Sequence, residues 1–133
     1  MLRLLRRLAR NDSGAAFIEF AIAGPVVILA LIGCIEFGRY FWIRNTLEYA
    51  VEEAGRYAIL NKTASDSDIQ TQVRNKVMGV TPSSISVAVV PTAGSNVTFK
   101  TITATSPNIS LVGGILPVLS LKLSAQTRVP VPN

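Results

Sequence analysis

Apolar positions along this chain fall into three successive regimes. Over residues 15–35 they are nearly continuous, with Glu19 as the one charge. Between residues 40 and 58 they thin out to Tyr40, Ile43, Leu47, Ala50, Val51, Ala54 and Ala58, recurring at three- and four-residue steps, while Arg44, Glu48, Glu52 and Arg56 take other positions. From residue 84 onward apolar residues alternate with polar ones.

The first regime predicts a membrane-spanning helix. Its 21 residues, at about 1.5 Å of rise each, suffice for a hydrocarbon core of roughly 30 Å. Eleven Phe, Ile, Leu and Val residues favour insertion by roughly 0.3–0.6 kcal/mol each, against about 3 kcal/mol for a carboxylate at the bilayer centre. Glu19 lies near one end, where it is tolerable. Gly24-Pro25 interrupts the run, and a proline there removes one helical hydrogen bond, so a kink or local melting is expected at that turn. Spanning helices also tolerate such residues with no functional consequence.

The second regime continues the helix as an amphipathic one. Tyr40, Phe41 and Trp42 cluster where it would leave the lipid, the level at which interfacial aromatics accumulate. Glu52 and Arg56 stand in the favourable i,i+4 order, an exposed pair that contributes a few tenths of a kcal/mol.

After a polar linker over residues 61–66, Ser67 with Gln70 three residues on reads as a capping box. It opens a shorter helix carrying Ile69, Val73 and Val77 on one face, with Gly79 just past its end and Pro82 barring continuation.

The third regime predicts strands. Ile85, Val87 and Val89 alternate with Ser84, Ser86 and Ala88, and residues 91–96 offer a turn. Residues 97–105 are rich in Thr, Val and Ile, and their alternation slips at Thr101 and Ile102, the mark of a bulge. Leu119, Leu121, Leu123, Ala125, Thr127 and Val129 form the clearest period-two pattern in the chain. Three strands of this kind suggest a small antiparallel sheet with one buried face, which the amphipathic helix is placed to cover. The expected fold class is therefore α+β: a long N-terminal transmembrane and amphipathic helix packed on a small sheet of about three strands. Residues 109–117 form an apolar stretch that either contacts another subunit or tucks under the sheet.

Composition changes this picture in two ways. The formal charge is +5, but Arg3, Arg6, Arg7 and Arg10 lie in the first ten residues, and without residues 1–14 nine basic residues face seven acidic ones. The basic balance thus belongs to the N-terminal segment and marks the cytoplasmic side of the span, so the rest of the chain is expected to be periplasmic. It does not form the stripe that nucleic-acid binding requires, and no nucleic-acid partner is expected. There is no histidine, and the single cysteine, Cys34, lies inside the apolar run. No catalytic residue, metal site or cofactor is therefore expected, and no enzyme activity. Three Asn-x-Ser/Thr triplets, at Asn61, Asn96 and Asn108, are too common a pattern to carry weight.

A secretory signal peptide shares the basic start and apolar run, but the run is long for one and no Ala-x-Ala site closes it. An uncleaved signal anchor is the stronger rival, and it makes Glu19 incidental. What distinguishes the chain from a plain anchor is the order Asn11-Asp12-Ser13-Gly14 followed by Ala15-Ala16-Phe17-Ile18-Glu19. This order resembles the processing site of type IV pilins and pseudopilins, in which a membrane peptidase cuts after a glycine and the fifth mature residue is glutamate. Further on, Glu19-Phe20-Ala21, Gly24-Pro25, Gly33, Glu36-Phe37-Gly38-Arg39 and Ala54-Gly55-Arg56-Tyr57 are similar to TadE-like proteins of the tight-adherence (Flp) pilus system.

The resemblance implies a leader over residues 1–14, a span over residues 15–36 and a pilin-like periplasmic head over residues 37–133. It implies cleavage between Gly14 and Ala15, assembly through Glu19 and Phe20, and a flexible point at Gly24 and Pro25. The implied partners are a prepilin peptidase, other pilins or pseudopilins, the pilus assembly platform and membrane lipid. The implied role is that of a minor pilin or pseudopilin in pilus assembly and surface adhesion, placed in the bacterial inner membrane and carried into the extracellular pilus. Cleavage would expose a protonated amine at Ala15, one helical turn from Glu19. Without such a partner, Glu19 simply snorkels to the cytoplasmic interface.

Overall fold

Helix-favouring, nearly proline-free sequence carries the first element much further than a bilayer requires. The computed structural model describes residues 12–94, 96–110 and 120–132. In it α1 runs unbroken over Asp12–Leu60, 49 residues with Pro25 inside. The helix is continuous through Gly24 and Pro25. The chain divides into two compact units, Met1–Ile35 and Glu36–Asn133, each described in turn.

In the first unit the helix buries almost nothing. Phe17, Phe20, Ile22, Val26, Leu29 and Leu31 are all exposed. Ordinary soluble proteins do not leave so continuous an apolar surface to water. The helix is long and apolar enough to cross a membrane.

In the second unit the same helix becomes one wall of a core. Ile43, Leu47, Ala50, Val51, Ala54 and Ala58 are buried, the face that the three- and four-residue spacing marks, and Tyr40 packs partly against it. Asn61 ends the helix: its backbone N–H and side-chain amide both donate to the Tyr57 carbonyl, at 2.9 and 3.0 Å. The expected Glu52–Arg56 ion pair does not form. The Arg56 guanidinium turns instead to Glu53, one turn back at i,i−3 and 3.8 Å, while Arg44 pairs with Glu48 at 3.0 Å.

The second helix, α2 (Asp66–Lys76), starts two residues earlier than the Ser67–Gln70 spacing suggests. Its N-cap is Ser65, and the box closes on Asp68. The Asp68 carboxylate accepts from the Ser65 hydroxyl at 2.6 Å and from the Ser65 N–H at 3.0 Å, and the Asp68 N–H donates back to the hydroxyl at 3.2 Å. A short carboxylate reaches the cap as well as a glutamine would, and it also complements the positive end of the helix. Ile69, Val73 and Val77 point into the core as expected. Pro82 does not merely end a helix but opens a 3₁₀ turn, Pro82–Ser84, where its missing N–H costs nothing.

The sheet is three-stranded and antiparallel, in the order β1 (Ser86–Ala93), β2 (Val97–Thr105), β5 (Ser124–Pro132). Two expectations about it are corrected. First, β1 continues through Pro91, which pairs with Lys100, so the turn falls later, after Ala93. Pro91, Pro130 and Pro132 lie on the two edge strands, where an absent N–H breaks no ladder, and the central strand has no proline.

Second, β2 is not bulged at Thr101 and Ile102: both registers run through them without a step. The alternation slips because Val97 and Phe99 are apolar residues on the outer face, while Lys100 stands on the inner face beside Ile102 and Ala104. The break comes later. Thr105 pairs with Ser124, but beyond it β3 (Ile109–Ser110) pairs with β4 (Ser120–Leu121) as Ile109↔Leu121. Residues 106–108 thus face only residues 122 and 123, one residue out of step. This offset splits the long period-two pattern into β4 and β5. Ser106, buried, seals the junction: its N–H donates to the Leu123 carbonyl at 2.8 Å and its hydroxyl accepts from the Leu123 N–H at 3.1 Å. Of the apolar stretch over residues 109–117, Ile109 is buried, and residues 111–117 lie outside the described residues.

The inner face of the sheet presents Val87, Ile102, Ala104, Ala125, Val129 and Val131 to α1 and α2. Burying each Ile or Leu of this core stabilises by about 1.5–3 kcal/mol. The fold is α+β, a long apolar N-terminal helix packed on a small three-stranded antiparallel sheet.

Candidate functional site

Gly14 and Ala15 lie in the first turn of α1, which begins at Asp12. A Cβ placed on Gly14 would meet nothing within 4 Å. The glycine is therefore not required by the packing of this chain, and a constraint on its size would have to come from another molecule. A peptide bond so near a helix start is also inexpensive to unwind, since the first turn lacks the full set of intrahelical hydrogen bonds. Residues 1–11, including Arg3, Arg6, Arg7 and Arg10, lie outside the described residues.

One turn on, Glu19 is exposed on the helix. Among the described residues its carboxylate has no hydrogen-bond or ion-pair partner. Phe20 is 74% exposed, and its ring edge lies 3.9 Å from where a Cβ on Gly24 would sit. Phe20 thus partly covers Gly24, the residue before Pro25. Pro25 has no N–H to give to the Ala21 carbonyl one turn back, so that acceptor lacks its usual helical donor. Glu19, Phe20, Gly24 and Pro25 therefore share one stretch of helix that combines a free carboxylate, an exposed ring and a weakened turn.

Further along, Glu36 and Arg39 form an i,i+3 contact at 3.2 Å, with the Glu36 side chain mostly buried. The contact is at ion-pair distance but off the hydrogen-bond line for Glu36 Oε2, so Coulomb attraction carries it. Cys34 is exposed on the helix surface.

Several connections in the head were not legible as pairs along the chain. Lys100 crosses from β2 to donate to the Asp66 carboxylate at 3.0 Å and the Ala64 carbonyl at 3.3 Å, tying the sheet to the link between the helices. Arg128 stacks over the Phe99 ring on the outer face, 4.6 Å from its centroid. Gly79 adopts φ +83°, and a Cβ on it would lie 2.7 Å from Trp42 Cζ3. The available signals were a lysine at an inward register position and a glycine shortly after a helix.

Asp68 has its carboxyl held below the ordinary value, first by the hydrogen bond from the Ser65 hydroxyl and then by the Ser65 N–H. Its role is to cap α2. Among the described residues there is no group of three or more His, Cys, Asp or Glu side chains placed to hold a metal ion.

Residues 14–56 match the TadE family, described as TadE-like protein. The match begins at Gly14 and ends one residue after Gly55, so it takes in the exposed apolar helix and the first part of the core-facing helix, and none of the sheet. No curated protein and no solved structure matches the chain.

Proposed function

From the premise that this chain is TadE-like over residues 14–56, we propose that it is a minor pilin or pseudopilin of a tight-adherence (Flp) pilus. It inserts in the inner membrane through α1 with its N-terminus cytoplasmic, a prepilin peptidase cuts it between Gly14 and Ala15, and it then joins other pilins and the assembly platform helix against helix. Its role is structural and not catalytic. The observation that carries the proposal is the contrast along α1: bare apolar surface before residue 36, core-facing residues from Ile43 on.

Cleavage turns Ala15 into a terminal amine with a reference pKa of about 7.7–8.0. That cation stands at i−4 from Glu19, and in a bundle of such helices the amine of one subunit can meet the carboxylate of another. In low dielectric such a pairing is favoured because either charge alone is costly there. Phe20 adds apolar contact beside it, and the weakened turn at Gly24-Pro25 gives the helix a place to adjust between bilayer and filament. Delivery of the head to the cell surface would then serve adhesion.

Intact mass spectrometry of the protein extracted from membranes, with and without an active prepilin peptidase, tests this. The expected result is loss of residues 1–14 only when the peptidase is active. A full-length chain in both samples would overturn the pilin reading and leave a signal-anchored periplasmic scaffold.

A further inference from the structure

Acidic and basic residues are segregated along the chain. No aspartate or glutamate follows Asp68, whereas Arg74, Lys76, Lys100, Lys122 and Arg128 do, so the sheet contributes only cations to the head. Lys100, on the inner face, is taken by Asp66. Arg128, on the outer face, lies over the Phe99 ring, 4.6 Å from its centroid, and among the described residues no carboxylate reaches it. The ring attracts the cation but carries no charge to neutralise it. Across the ladder Arg128 shares a row with Thr101 and Val90, and Val90 is 56% exposed.

The exposed face of α1 holds the missing acid. Arg44 is taken by Glu48 at 3.0 Å and Arg56 by Glu53 at 3.8 Å. This leaves Glu52, exposed and without an ion-pair partner among the described residues. Tyr49, one turn before it, is 55% exposed. Glu52 and Arg128 cannot meet within one chain, because α1 covers the inner face of the sheet, Arg128 stands on the outer face, and Glu52 lies on the side of α1 away from the core. They nevertheless stand at one height. Gly55 packs against Thr127 and Val129, the neighbours of Arg128, where an added Cβ would lie 3.2 and 2.8 Å away, and Glu52 is three residues, about 4.5 Å, from Gly55 along the helix. A sideways displacement between two copies, with both α1 helices pointing the same way, brings Arg128 of one to Glu52 of the next.

We propose that the outer face of the sheet, through Arg128 and Val90, docks on the exposed face of α1 of a second copy of this chain, at Glu52 and Tyr49. The contact is heterologous, so each copy keeps one face for a third and the stack stays open. It involves only residues of the Glu36–Asn133 unit and needs no cleavage at Gly14, and in naming the head surfaces that meet it goes beyond the proposed function.

The test uses the full chain in phosphatidylcholine vesicles. Arg128→Lys keeps the charge and supplies an amine that a carbodiimide couples to a carboxylate at ion-pair distance. The expected product is a covalent dimer joining Glu52 to residue 128, identified by peptide mass spectrometry and lost in Glu52→Gln. Energy transfer between copies labelled at Thr63→Cys in a Cys34→Ser background should report self-association that weakens at least about fivefold in Glu52→Arg and recovers when Arg128→Glu is added. Coupling of Glu52 to other lysines only, or energy transfer indifferent to both reversals, would overturn the inference. An Arg128→Glu variant that loses binding to heparin-agarose but keeps self-association would assign the sheet face to a polyanion and overturn it too. A chain left uncut at Gly14 in the presence of the peptidase that still couples Glu52 to residue 128 would refute the pilin reading and leave this contact standing.

Discussion

Val129 on β5 occupies the space that a side chain on Gly55 of α1 would need: a Cβ on Gly55 would lie 2.8 Å from Val129 Cγ1 and 3.2 Å from Thr127 Cγ2. This contact sets how closely the helix lies on the sheet. Gly55→Ala gains up to about 1 kcal/mol of helix propensity but overpacks a β-branched neighbour, a cost of roughly 1–3 kcal/mol. We expect net destabilisation of the full chain in thermal denaturation in detergent micelles, and recovery in the Gly55→Ala, Val129→Ala double variant. A single variant as stable as the parent would show that the helix can move off the sheet without penalty.

Gly79→Ala should be more damaging than its size suggests. Its positive φ disfavours any L side chain, and the added methyl meets the Trp42 ring. A loss of about 1–3 kcal/mol is expected, together with a change in Trp42 emission, since the ring must move. Unchanged emission and stability would exclude the packed loop.

The Ser65–Asp68 box predicts a pH dependence. The Asp68 carboxyl lies below its ordinary value in the folded chain. Its contribution to stability is therefore present above the unfolded-state value near 3.8 and is lost as pH falls through the lower folded-state value. Asp68→Asn should flatten that part of the acid limb in a circular-dichroism titration, and Ser65→Ala should do so too. An acid limb unchanged in both variants would remove the box as its source.

Lys100 should matter more than the ion pair it makes. Its side chain is 16% exposed against 47% for Asp66, so Lys100→Ala loses both packed methylenes and hydrogen bonds, about 1–3 kcal/mol. Asp66→Ala, at a more solvated site, should cost under about 1 kcal/mol. Equal losses in chemical denaturation would mean that the charge pair alone carries the contact.

At the N-terminus, Gly14→Trp should leave the helix intact, because the space around Gly14 is open, and should accumulate uncut precursor on immunoblots. Glu19→Gln should be cut normally yet fail to enter filaments sheared from cells. Normal piliation by the Glu19→Gln variant would show that its charge is dispensable.

Periodicity by itself determined the helix and its two environments, because α1 makes its hydrogen bonds within four residues and its apolar spacing states which face must leave water. It also determined the facing of β5, while β2 was legible from its Thr, Val and Ile content; Glu19, Gly24 and Pro25 stand out in sequence as exceptions within an apolar run, and Gly14 as the glycine just before it. Tertiary structure alone decided where the register steps, at residues 106–108 and not at Thr101. It sent Lys100 to Asp66, and brought Gly55 against Val129 and Gly79 against Trp42. Those depend on which surfaces meet, and a contact between residues tens of positions apart leaves no period in the chain.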